Sequence, residues 1–180
     1  MAQTDIVMAG FGGQGLMAIG KMLAKAAMAE GQHVTWMPAY GPEMRGGTAN
    51  CTVIIDDEPI GSPIVKRTQA AIVMNKQSMD KFEPTVREQG LIVVNTSLID
   101  RKVQRADLKA VYVPANDIAE KEGSGKSANL VMLGAYVAAS KVIKPEAIEK
   151  ALEKTFEGKP AKVLEANLRA FRKGMEAAAE

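Results

Sequence analysis

The sequence is poor in cysteine and in aromatic residues. Cys51 is the only cysteine among 180 residues, so the chain has no internal disulfide and cannot by itself hold an iron–sulfur cluster, which normally takes four thiolates. Aromatic residues make up 4% and the formal net charge is +2. Both values argue against a nucleic-acid partner, because such proteins need a basic face and stacking surfaces. If the protein takes part in electron transfer, its redox centre lies in another chain.

Long apolar runs are also absent. No segment approaches the roughly 18 apolar residues of a membrane helix, and the N-terminus lacks a basic segment followed by a signal-type apolar core. We therefore expect a cytoplasmic protein without a membrane partner. His33 is the only histidine, and no second histidine or paired cysteine accompanies it, so we expect no metal site.

Composition and periodicity together indicate one α/β domain. Hydrophobic residues make up 47% and charged residues 24% of the chain, as in soluble globular proteins, and the length suits a single domain over residues 1–180. Short apolar segments that read as strands alternate with segments of helical periodicity. The predicted strands cover 6–9, 33–37, 48–55, 70–74, 91–94 and 110–113, and the main predicted helices cover 14–30, 115–122, 128–142, 145–156 and 160–178.

This alternation predicts a Rossmann-like, doubly wound and mostly parallel sheet with a helical C-terminal segment. The segment 48–55, "TANCTVII", follows a loop rather than a helix. We therefore expect it to form an antiparallel edge strand or hairpin, which would make the sheet mixed. A broken helical stretch between the fourth and fifth strands contains Pro84 and is expected to end at Gly90.

A glycine-rich loop follows the first predicted strand. Its sequence "GFGGQG", residues 10–15, fits the pattern G-x-G-x-x-G and leads into the first helix. Glycine permits positive φ and close backbone approach, and the unpaired amides at a helix N-terminus attract an anion. The loop predicts a site for a phosphate, a pyrophosphate or a carboxylate, or a tight strand–turn–helix junction that binds nothing.

The sequence argues against an ordinary dinucleotide site. Such a site needs an acidic residue about 20 positions further on, at the end of the second strand. Here that strand ends with Trp36, Met37 and Pro38. Glu30 precedes the strand and Glu43 lies well beyond it.

A second unusual loop is "AYGPEMRGG", residues 39–47, where glycines bracket Glu43 and Arg45. The loops that follow parallel strands gather around one crevice, so the two glycine-rich loops are expected to meet. Arg45 would bring a permanently charged planar donor to the start of the first helix. The alternative use of Arg45, together with Tyr40 and Trp36, is a subunit interface, where these residue types are favoured.

Three segments resemble one known family. "GFGGQG" at 10–15, "YGPEMRGG" at 40–47 and "SANLVMLGA" at 127–135 are similar to the gamma subunit of 2-oxoacid:ferredoxin oxidoreductases. The similarity extends to about residue 170, and the second segment is more specific than the first.

The resemblance implies a reaction that this chain does not catalyse alone. Enzymes of the family convert a 2-oxoacid, coenzyme A and oxidised ferredoxin into acyl-CoA, carbon dioxide and reduced ferredoxin. Thiamine diphosphate with magnesium is expected in partner alpha and beta subunits, and iron–sulfur clusters in a delta or beta chain. The sequence itself has no thiamine-type G-D-G…N stretch and no cysteine cluster, so we expect this chain to hold no cofactor and no catalytic residue.

The same resemblance suggests a role in the binding of coenzyme A, the co-substrate. The candidate contact residues are Gly12, Gly13, Gln14, Gly15, Tyr40, Glu43, Arg45 and Gly46. Two other functions stay open: a free-standing nucleotide-binding oxidoreductase, and a purely structural assembly module. Among the oxoacids that the family uses, we expect 2-oxoglutarate for this protein, ahead of pyruvate and branched-chain oxoacids.

Overall fold

The computed structural model describes residues 3–41, 47–122 and 124–179. The strands are β1 (Thr4–Phe11), β2 (His33–Tyr40), β3 (Thr48–Asp56), β4 (Thr68–Val73), β5 (Val86–Asn95) and β6 (Lys109–Val113). The α-helices are α1 (Leu16–Ala29), α2 (Lys76–Phe82), α3 (Ala115–Lys121), α4 (Ala128–Ser140), α5 (Pro145–Thr155) and α6 (Ala161–Ala177), with short 3₁₀ turns at Glu83–Thr85 and Gly125–Ser127.

The strands form one sheet in the order β2-β3-β1-β4-β5-β6. Strand β3 is antiparallel to both β1 and β2, whereas β1, β4, β5 and β6 pair in parallel. The predicted α/β fold with a mostly parallel, mixed sheet is therefore confirmed. Of the two arrangements expected for the segment 48–55, the antiparallel hairpin is confirmed and the edge strand is not. The hairpin between β2 and β3 inserts β3 beside β1 and leaves β2 at the edge.

Apolar side chains cover both faces of the sheet. On one face, α1, α4, α5 and α6 contribute to a large core against Ile6, Met8 and Ile72. On the other face, a smaller core contains Val7, Ala71 and Met79 of α2. The chain leaves β1 toward β2 across the first face and leaves β4 toward β5 across the second. The carboxyl ends of β1 and β4 therefore flank a topological switch point, where ligands of open α/β sheets bind.

Strand β5 begins earlier than the sequence predicts. Gly90 does not end a helix; it lies inside β5, where the pairing with β4 shifts register. A Cβ at Gly90 would lie 2.6 Å from the carbonyl oxygen of Gln69, so the close approach of two backbones explains this glycine. The preceding residue, Gln89, has φ of 60°, which makes the strand bulge outward at this point.

Helices α4 and α6 cross with their backbones in contact. A Cβ at Gly134 would overlap the carbonyl oxygen of Phe171, and a Cβ at Gly174 would overlap that of Val131. The Ser127 hydroxyl, just before α4, donates to Oδ1 of Asn167 on α6 at 2.7 Å. These contacts hold α4 in a fixed position relative to α6, across the first face of the sheet.

None of the helices in the described part of the chain combines the length and apolar character that crossing a membrane requires.

Candidate functional site

The glycine-rich loop forms a tight turn at the carboxyl end of β1. The amide of Phe11 donates to Oε1 of Gln14 at 2.6 Å, and the amide of Gln14 donates to the carbonyl of Phe11 at 3.2 Å. Gly13 and Gly15 have φ of 93° and 76°, a backbone conformation that other residues adopt only with strain. Among the described residues, no heavy atom lies within 4 Å of a Cβ built at Gly13.

Helix α1 begins directly after this loop. Gly15 occupies the N-cap position, and no side chain in the described part of the chain caps the helix. The first amides of a helix have no partner within it, and the helix dipole places partial positive charge there. The start of α1 can therefore bind an anion through backbone amides alone.

The second glycine-rich loop lies beside the first. The amide of Gly41, which follows β2, donates to the carbonyl of Thr48 at 2.7 Å, and the amide of Gly12 donates to the carbonyl of Gly47 at 2.9 Å. The structure thus brings together the two loops that the sequence singled out. Tyr40 is the last residue of β2 and is 70% exposed. Glu43, Arg45 and Gly46 lie outside the described residues.

The third segment of the family resemblance also reaches this place, through Asn129 of α4. Its Nδ2 donates to the carbonyl of Gly15 at 3.1 Å, and its Oδ1 accepts from the amide of Leu130 at 2.9 Å. Sequence reasoning did not select Asn129 as a site residue. The quoted segment 127–135 contained it, but only the fold shows that α4 begins next to α1.

Two buried asparagines follow the neighbouring strands at the same end of the sheet. Asn75 follows β4, and its Oδ1 accepts from the amide of Ser78 at 2.9 Å, which caps α2. Asn95 ends β5, and its Nδ2 donates to Oδ1 of Asn116 at 2.9 Å. Sequence reasoning also missed these residues, since single asparagines after strands are common turn residues.

The titratable groups with shifted pKa values serve packing and ion pairs. Burial raises the pKa of the Cys51 thiol to about 12. The guanidinium of Arg172, whose Nε lies 2.7 Å from Oε1 of Glu149, lowers the pKa of that carboxyl. Across the described ranges, no cluster of three or more histidine, cysteine or acidic residues is arranged to hold a metal ion.

Three larger hollows lie elsewhere on the molecule. Their volumes are about 570, 640 and 670 Å³. The first lies at the amino end of the sheet beside Arg87 and Tyr136, the second between α1 and α5, and the third next to Val142 and Met175. None of these three is lined by a described residue of either glycine-rich loop.

Comparison with known proteins gives matches over nearly the whole chain. The family profile described as "Pyruvate ferredoxin/flavodoxin oxidoreductase" matches residues 5–177. The ketoisovalerate oxidoreductase subunit VorA of Methanothermobacter marburgensis is 40% identical over 97% of this chain, which corresponds to 36% of that protein. The chain thus spans about a third of the length of this relative. The 2-oxoglutarate synthase subunit KorC of Methanocaldococcus jannaschii is 34% identical over 98% of this chain and 94% of its own.

Solved structures with the same fold agree with these matches. The gamma subunit of a keto/oxoacid ferredoxin oxidoreductase from Geobacter sulfurreducens is 31% identical, with a TM-score of 0.83 and 98% of both chains covered. The 2-oxoglutarate:ferredoxin oxidoreductase from Magnetococcus marinus, solved with 2-oxoglutarate, coenzyme A and succinyl-CoA bound, has a TM-score of 0.90 at 23% identity. This chain corresponds to 31% of that one, and at this identity the likeness concerns the fold alone.

Proposed function

Because this chain belongs to the pyruvate ferredoxin/flavodoxin oxidoreductase family, we propose that it is the gamma-type subunit of a multi-chain 2-oxoacid:ferredoxin oxidoreductase. The resemblance to gamma subunits that the sequence motifs indicated is confirmed by relatives and by solved structures. In the proposed complex, a 2-oxoacid and coenzyme A give acyl-CoA and carbon dioxide, and the electrons pass to ferredoxin.

The residues of this chain do not suit the redox cofactors, which we assign to partner alpha and beta subunits, with a delta chain as a further partner. Cys51 is buried, and the raised pKa of its thiol is the opposite of what a cluster ligand needs, because clusters bind thiolates. Thiamine diphosphate with magnesium would supply the decarboxylation chemistry, and iron–sulfur clusters the electron path, in those partner chains.

We assign to this chain a wall of the coenzyme A site. One observation carries the assignment: the hydrogen bond from Gly12 to Gly47 joins both glycine-rich loops at the uncapped start of α1 and beside the topological switch point. Phosphate groups suit this place because backbone amides and the helix dipole favour anions. Arg45, in the loop that Gly41 and Gly47 flank, would add a charge-assisted hydrogen bond worth about 1.5–3 kcal/mol.

The free-standing dinucleotide enzyme is not favoured. In a Rossmann unit the second strand lies next to the first, and an acidic residue at its end reaches the ribose. Here β3 lies between β1 and β2. Because strands are about 4.8 Å apart, the insertion moves the end of β2 roughly 5 Å further from the glycine-rich loop.

Assembly is the second proposed role of the same region. Strand β2 is an edge strand whose last residues, Met37 to Tyr40, are exposed. Exposed edge strands with aromatic side chains are suited to partner contacts. A partner subunit that covers Tyr40 would also lie beside the glycine-rich loops.

The oxoacid itself is proposed only as a class. Relatives of this chain are named for ketoisovalerate and for 2-oxoglutarate, and a common gamma subunit serves both pyruvate and ketoisovalerate enzymes in Pyrococcus furiosus. Our sequence-based preference for 2-oxoglutarate stays a prediction. An assay of the native complex across these acids would decide it.

The test of the proposed coenzyme A role is Arg45→Ala in the complex, purified through a tag on this chain. The apparent KM for coenzyme A is expected to rise about tenfold or more, as the loss of a charge-assisted hydrogen bond implies, with the KM for the oxoacid unchanged. Arg67→Ala, a cation removed at the opposite end of the sheet, is the matched control. An unchanged KM for coenzyme A, with the subunits still associated, would remove the assignment.

A further inference from the structure

Asn129 links the first turns of two long helices. Its Nδ2 donates to the carbonyl of Gly15, and its Oδ1 accepts from the amide of Leu130 in the first turn of α4. The same carbonyl accepts the first helical hydrogen bond of α1, from Ile19 at 3.2 Å. A carbonyl oxygen has two lone pairs, so α1 and α4 together use both.

A carboxamide satisfies both contacts. Gly15 offers an acceptor and Leu130 offers a donor, so the bridging side chain must donate at one atom and accept at another. Asparagine does this; an ionised aspartate accepts only, and leucine does neither. The side chain of Asn129 is 9% exposed, and water therefore has little room to replace a lost partner.

The surroundings leave Gly15 little freedom to move. A Cβ at Gly15 would overlap Nδ2 of Asn129, so the amide packs directly against the glycine. Helix α4, which carries Asn129, is itself held by backbone contact with α6 at Gly134 and Gly174. The rigid α4–α6 pair thus fixes one end of a loop that is otherwise built from flexible glycines.

We propose that Asn129 is a positioning residue for the glycine-rich loop, and that it sets the affinity of the site for the anionic part of coenzyme A. The proposal rests on the proposed function. Asn129 fixes the Gly15 peptide at φ of 76°, and this conformation aims the first amides of α1 at the crevice. Without the hydrogen bond, the loop would sample other conformations, and binding would require its ordering.

The experiment uses two variants in the purified complex. Asn129→Leu keeps the approximate shape and removes both contacts without adding charge. Asn129→Asp keeps the contact to Leu130 and loses the one to Gly15. For both, the KM for coenzyme A is expected to rise about fivefold, the effect of losing the hydrogen bond to Gly15 that the two variants share, while kcat and the KM for the oxoacid stay near the wild-type values.

Leu133→Ala is the matched control, because Leu133 lies on α4, is fully buried and has an aliphatic side chain that cannot form a hydrogen bond to Gly15. It is expected to lower the Tm without changing the KM for coenzyme A. An equal rise in KM for Leu133→Ala would mean that general loosening of α4 is responsible, and would overturn the proposal. A wild-type KM for coenzyme A in Asn129→Asp, with a raised KM in Asn129→Leu, would also overturn the proposal. The hydrogen bond to Leu130 would then be enough to maintain the affinity for coenzyme A.

Hydrogen exchange separates this proposal from the one on which it rests. In the wild-type complex, coenzyme A is expected to slow the exchange of the amides of residues 13–17. Absence of that protection would refute the coenzyme A site, and the role of Asn129 with it. Protection in the wild type, together with an unchanged KM for Asn129→Leu, would refute the role of Asn129 alone.

Discussion

The two ends of the sheet differ in their polar groups: the amino end contains a buried ion pair, and the carboxyl end contains backbone amides at a helix start. At the amino end, the carboxylate of Asp5 is fully buried, accepts from the amide of Gln69 at 2.7 Å, and pairs with Nη2 of Arg87 at 2.9 Å. At the carboxyl end, the glycine-rich loops present backbone amides at the uncapped start of α1.

This comparison shows why charged side chains are a poor guide to the candidate site. At the amino end, the charge of Asp5 is already neutralised by Arg87, although a hollow of about 570 Å³ lies next to that pair. At the carboxyl end, backbone groups are held in place by glycine conformations and by Asn129. Described residues of all three family-like segments meet at the carboxyl end, through Gly12, Gly47 and Asn129.

The largest effect is expected for Gly15→Ala at the carboxyl end. The positive φ and the overlap with Asn129 should together lower the free energy of unfolding by about 3–4 kcal/mol. Gly31→Ala is the matched control, because Gly31 has φ of 85° with no heavy atom within 4 Å of a Cβ. It should cost only the conformational strain, about 1–2 kcal/mol. Urea titration of both variants checks this; equal losses would contradict the role of the Asn129 contact.

At the amino end, Arg87→Met should lower the free energy of unfolding by about 2–3 kcal/mol, because it leaves the buried carboxylate of Asp5 without its cation. The value lies below that of a fully buried pair because the side chain of Arg87 is 43% exposed and solvent screens the interaction. Asp5→Asn should cost less, since an amide oxygen can still accept from Gln69. If Arg87→Met changed the KM for coenzyme A, the functional contrast between the two ends would be wrong.

A smaller effect is expected for Gln14→Ala. This change removes the acceptor of the Phe11 amide and should lower the free energy of unfolding by about 1 kcal/mol. Because Gln14 lies inside the loop, the KM for coenzyme A should rise as well, which separates it from Arg87→Met. A loss of stability with no change in KM would indicate that the turn is structural only.

At neutral pH the smallest effect is expected between the two ends, at Cys51 in the middle of β3, where the thiol is protonated in both the native and the unfolded state. Since burial raises the pKa of its thiol from 9.0 to about 12, iodoacetamide at pH 8 should label the unfolded chain but not the native one. The unfolded thiol loses its proton more readily, so the free energy of unfolding should fall as the pH rises from about 9 towards 12. Cys51→Ala should flatten that slope; rapid labelling of the native protein would contradict the burial.

The sequence predicted the helices and strands well, but it predicted less well which strands lie next to each other. Strand and helix periodicities are local properties, and the predicted strands and C-terminal helices match the observed ones within about three residues, apart from the earlier start of β5. The position of β3 depends on which strand a hairpin pairs with, and the position of Gly90 depends on a bulge against β4. Neither position can be predicted from the hydrophobic periodicity of a single segment.

The candidate site shows the same limit. Glycines in a strand–loop–helix pattern indicated the turn, because a positive φ favours glycine. Asn129 was not selected, because it lies more than a hundred positions from Gly15 in the sequence and its partner is a backbone carbonyl. Every residue type has a backbone carbonyl, so a hydrogen bond that this carbonyl accepts cannot be recognised from the residue's identity.

The most direct test of the central claim is to separate this chain from its partner subunits and then to recombine them, with ferredoxin reduction followed in the presence of a 2-oxoacid and coenzyme A. The account predicts no activity for the isolated chain, a complex without it that is defective in the use of coenzyme A, and recovery when the chain is added back. Ferredoxin reduction by the isolated chain, or undiminished activity of a complex that lacks it, would contradict the account.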